Sequence, residues 1–86
     1  MPTLYLSADD IERSYGSGNF DDAADTLAAW LAGHGIHSVR FDIDSTHPNP
    51  WFHALCVELP VVDPALLQHF YAWLAQENIE ILKVTP

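Results

Sequence analysis

The segment FDIDSTHPNPWFH, residues 41–53, holds Asp42, Asp44, His47 and His53 around a proline-rich turn, with Cys56 three residues further on. Carboxylates and imidazoles within reach of one another are the usual donors for a divalent cation. A thiol beside an imidazole is the usual start of nucleophilic catalysis. The spacing supports neither. Alternating positions put Asp42 and Asp44 on one sheet face, and His53 belongs to the opposite one. Cys56 and His53 are an odd number of residues apart along a strand, so they also face opposite ways. There is no HxxxH or CxxC pair, phosphate loop, nucleophile elbow or dinucleotide fingerprint. The expectation is a non-enzymatic chain with no catalytic residue, no metal and no cofactor.

Charge is the stronger signal. Twelve acidic residues against three basic ones give −9 in 86 residues, with a pI near 4.5. Such a surface repels nucleic-acid phosphates and anionic membranes and is drawn to basic protein surfaces. The opening MPTLYLS lacks the basic and apolar regions of a secretory leader, and no apolar run is long enough to span a bilayer. A single cysteine excludes an internal disulfide and fits a reducing, cytoplasmic setting. Length and a hydrophobic content of 49% fit one folded domain, 1–86.

The elements that must position these charges come from an internal repeat. AWLAGHGI at 29–36 returns as AWLAQENI at 72–79. The alignment continues outwards, setting Leu27 on Phe70, Leu31 on Leu74, Ile36 on Ile79 and Val39 on Leu82. Each copy reads as an amphipathic helix, a turn and a strand. The stripes are Ala24, Leu27, Ala28 and Leu31 in the first helix and Leu67, Phe70, Tyr71 and Leu74 in the second. Asp21 and Asp63 are the candidate N-caps, the latter followed by Pro64. Gly33 or Gly35 ends the first helix, and Asn78 takes the left-handed position that ends the second. Alternation predicts strands over 3–7, 37–43, 53–59 and 80–84, with Leu82 and Val84 turned inward in the last.

The order strand, helix, strand, strand, helix, strand resembles the ferredoxin-like α+β fold. That resemblance implies a βαββαβ sandwich, an antiparallel sheet in the order 4-1-3-2, and both helices on one face. It covers most of the chain and rests on patterning, so it implies no activity. Acylphosphatases on this fold need an arginine in a glycine-spaced loop where this chain reads SYGSGNF. Heavy-metal-binding domains need two cysteines there, and RNA-binding sheets need exposed aromatics with basic flanks. GHGIHSVRFDI resembles the helix-to-strand passage of ACT-type domains, but the loop after the first strand does not match theirs.

The two halves differ most between that strand and the first helix. Residues 8–20 form an acidic insertion in which Ser7 and Asp10 read as a capping pair and Gly16 as the close of a short helical turn. Gly16, Ser17 and Gly18 then form a flexible joint. The topology gathers Asp9, Asp10, Glu12, Asp21, Asp22, Asp25, Asp42, Asp44, Glu77 and Glu80 at one end, leaving Glu58 and Asp63 for the other. A basic partner surface is therefore expected at Asp9, Asp10, Glu12, Asp21, Asp22, Asp42, Asp44 and Glu77, as for an inhibitor or interaction module. The alternative is a homodimeric regulatory or ligand-binding domain using the open sheet face of Tyr5, Phe52, Cys56 and Ile81. A small metal-binding protein is the third reading.

Overall fold

The computed structural model describes residues 2–16, 20–46, 48–49, 53–60 and 63–85. The chain runs β1 (Thr3–Ser7), α1 (Ala8–Tyr15), α2 (Phe20–Gly33), β2 (Arg40–Asp44), β3 (Ala54–Glu58), α3 (Pro64–Gln76) and β4 (Ile81–Thr85). It is a small α+β domain with one four-stranded antiparallel sheet, ordered β2-β3-β1-β4, and three described helices.

The repeat explains the core. Leu27, Leu31 and Ile36 and their counterparts Phe70, Leu74 and Ile79 are all buried. Both long helices end in the same motif. The Ile36 amide donates to the Leu31 carbonyl and that of Gly35 to Ala32; the Ile79 amide donates to Leu74 and that of Asn78 to Ala75. Gly35 and Asn78 hold the left-handed conformation that this Schellman arrangement requires, at φ 86° and 58°. The apolar residue after each then folds back on its helix. Asp63 caps α3 through the Ala65 amide at 2.8 Å, with Pro64 opening the helix. Asp21 is not a cap: α2 already begins at Phe20, so Asp21 lies in its first turn, where a carboxylate offsets the helix dipole.

Ser7 and Asp10 form the expected capping pair and Gly16 the expected close, while two further departures from the sequence reading lie in β2 and β4. The insertion is mostly helix: α1 follows β1 directly. Ser7 Oγ accepts from the Asp10 amide, and the Gly16 amide donates to the Glu12 carbonyl. Ile11 is fully buried, so this helix closes one end of the core. Residues 37–39 lie outside β2, although Val39 still packs on the core.

The second departure is in β4. Its pairing with β1 shifts between Tyr5 and Leu6, with Tyr5 opposite Lys83 and Leu6 opposite Ile81. Leu82 is the extra residue of a β-bulge, which reverses the facing of the strand on one side of it. Ile81 therefore packs toward the core, and Leu82 lines the open face with Tyr5 and Lys83. Strict alternation had assigned these two residues the other way round. Val84, opposite Leu4, remains on the helix-facing side yet stays exposed at the sheet edge.

Candidate functional site

The end of the sheet where β1 and β2 finish is built around α1. The Ser7 amide donates to the Glu80 carbonyl and the Ala8 amide to the His53 carbonyl, both at 2.9 Å, so β1 is held on both sides as it turns into the helix. Ser14 Oγ donates to the Glu77 carbonyl at 3.4 Å, tying α1 to the end of α3.

Asp10 departs from its expected part in an exposed acidic end. It is 8% exposed. Its Oδ2 accepts the Glu80 amide at 2.8 Å and its Oδ1 pairs with the Arg13 guanidinium. This carboxylate is committed to the fold, because the first residues leading into β4 need an acceptor there. Arg13 also approaches Asp9 at 3.7 Å.

The other acids divide between two faces. On the helix-facing side a cleft of about 390 Å³ is lined by Ala8, Asp9, Glu12, Phe20, Ile43, Ser45 and His53. A neighbouring cleft of about 210 Å³ is lined by Phe20, Asp21, Ala24, Phe41, Asp42, Ile43 and Leu55. Phe20 and Ile43 are common to both, so the two form one groove between α1, the start of α2 and the β2 edge. Asp9, Glu12 and Asp21 are thus brought together; Asp42 borders the second cleft from the β2 strand but shares the facing of Asp44 and Cys56. Asp22 is exposed in the first turn of α2, and Glu77 is exposed at the end of α3. Burial raises the Tyr15 hydroxyl above its usual range against a lowering hydrogen bond with Thr26, and the Glu77 charge raises it further.

Asp44 lies on the opposite face. A cleft of about 470 Å³ there is lined by Tyr5, Asp44, Thr46, Pro48, Ala54, Leu82 and Lys83. The Asp44 carboxyl sits below the usual carboxylate range, chiefly because it accepts from the Thr46 hydroxyl at 2.7 Å and then from the Thr46 amide at 3.1 Å. The Lys83 ammonium stands 4.4 Å from the Tyr5 ring centre. Cys56, opposite Asp42 and Tyr5 in the sheet, is a half-buried free thiol. Burial pushes its pKa up, and the charges of Asp44 and Asp42 push it further. The open face therefore holds Tyr5 and Cys56 as expected and Leu82 in place of Ile81. Phe52 and His47 lie outside the described residues.

Among the described residues no group of three or more His, Cys, Asp or Glu side chains could hold a metal ion. No helix there is long and apolar enough to cross a membrane. Sequence reasoning placed Ile43 inward with Val39 and Phe41 and so missed it as a surface residue. Its signal was positional: it lies at the far end of an edge strand, where helix cover runs out.

No protein-family model, curated protein or solved structure matches this chain.

Proposed function

We propose that this protein is a non-enzymatic, ferredoxin-like interaction module or inhibitor whose acidic end docks on a basic protein surface. The observation that carries the reading is the imbalance at that end. Asp9, Glu12, Asp21, Asp22, Asp42 and Glu77 are exposed or partly exposed there, and Arg13 is already engaged by Asp9 and Asp10. The other two cations are occupied elsewhere, Arg40 near Glu58 at 3.8 Å and Lys83 over Tyr5. Carboxylates so arranged repel one another across solvent, and a cationic partner relieves that repulsion. The same field disfavours nucleic acid and anionic membrane as direct partners. A reducing cytoplasmic setting suits the free thiol of Cys56.

Native mass spectrometry of the protein isolated at low salt tests the reading. A complex with a basic protein that dissociates as salt rises supports it. A partner that is acidic, or a complex indifferent to salt, sinks it. A second reading, homodimerisation through the open sheet, is favoured by the cleft in which Tyr5, Pro48, Ala54 and Leu82 stand among Asp44, Thr46 and Lys83 on the open face. It requires a dimer that Leu82→Glu converts to monomer.

A further inference from the structure

The groove at the acidic end is more specific than a charged surface. Ile43 and Leu55 are directly paired and share the helix-facing side of the sheet, yet Leu55 is 2% exposed and Ile43 is 50% exposed. The helical layer therefore stops short of the end of β2. Phe20 at the start of α2, Ala24 one turn later and Phe41 complete an apolar floor beside Ile43. Exposed apolar surface rimmed by polar groups is the usual form of a docking site.

The rim decides the occupant. Asp9, Glu12 and Asp21 line the two halves of the groove, and neither half is lined by a lysine or arginine. Among the described residues only Asp9 of these shares a cation, Arg13. A segment entering this groove must bring its own positive charge. The mode of entry is restricted as well. The Ile43 amide, on the free edge of β2, already donates to Asp42 Oδ1 at 2.8 Å. That side chain occupies the edge where an added strand would pair, a common protection of edge strands.

We infer that the groove seats one apolar side chain of a partner segment flanked by lysine or arginine, through side-chain contacts and not by strand addition. This rests on the docking reading above and gives it a location and a partner chemistry. Burying the anchor on Phe20 and Ile43 adds to affinity, while the flanking cations meet Glu12 and Asp21.

Three short synthetic peptides test it by NMR titration of the labelled protein: a lysine-rich peptide with a central leucine, its glycine counterpart, and a glutamate-rich peptide with the same leucine. The leucine-bearing basic peptide should bind about tenfold more tightly than the glycine one and shift the amides of Phe20, Ala24 and Ile43. Ile43→Ser should reduce it to the glycine level and leave the glycine peptide unchanged. Ala24→Gln, a second variant at a surface-facing helix position, should act in the same direction. Equal binding of both basic peptides, or shifts confined to other residues, overturns the groove assignment and leaves the acidic-end reading standing. Failure of both basic peptides to bind at low salt overturns the two together, as does preference for the acidic peptide.

Discussion

Replacing Asp10 by alanine removes two interactions at once. The Glu80 amide loses a charged acceptor at 2.8 Å in a partly buried position, and Arg13 loses the closer of its two carboxylates. A hydrogen bond to a charged group contributes about 1.5–3 kcal/mol, and a surface pair of this kind a few tenths more. Exposure of the Arg13 side chain, at 66%, keeps the second contribution small. Asp10→Ala should therefore cost about 2–3 kcal/mol, which lowers the melting temperature of a domain this size by roughly 10–20 °C. Asp10→Asn retains an oxygen for the Glu80 amide and should cost about half as much. Denaturant unfolding measures the difference, and hydrogen exchange at the Glu80 amide locates it. A loss below about 0.5 kcal/mol, or equal losses for alanine and asparagine, would refute the assignment of Asp10 to the fold.

Ile11→Ala, at a fully buried position in α1, should cost about 2–4 kcal/mol by equilibrium unfolding; a loss under about 1 kcal/mol would mean α1 is detachable. The bulge predicts opposite outcomes at neighbouring residues: Ile81→Glu should unfold or severely destabilise the protein, whereas Leu82→Glu should fold, as judged by circular dichroism and melting. Asp44 titrates below its ordinary range because of Thr46, so its contribution to stability is present above the ordinary carboxylate value and is lost as pH falls through the lowered one. Thr46→Val should move the Asp44 carboxyl upward in a carbon-detected titration, and an unchanged value would remove Thr46 as the cause.

Much of the fold was legible because two halves repeat one solution. The pairs Leu27 with Phe70, Leu31 with Leu74 and Gly35 with Asn78 occupy equivalent places in the structure, down to the hydrogen bonds that end each helix. Alternation in 54–58 correctly separated Leu55 and Val57 from Cys56 and Glu58. What alternation cannot register is an unpaired extra residue, and so it misplaced Ile81 and Leu82. Charge counting could not distinguish Asp10 from Asp9, because burial depends on where α1 meets the start of β4. The groove was hidden for a similar reason: Phe20 and Ile43 lie 23 positions apart in sequence and meet only where α2 begins above an edge strand.

The most direct test of the docking account is the salt dependence of association with the basic partner, comparing the natural protein with a variant carrying Asp9→Asn, Glu12→Gln and Asp22→Asn. These three leave Asp10 and the Asp42 edge contact intact. Over about 50 to 500 mM ionic strength, affinity of the natural protein should fall steeply, and the variant should bind more weakly at low salt with a shallower slope. Affinities that coincide at low salt, or that do not change with ionic strength, would contradict it.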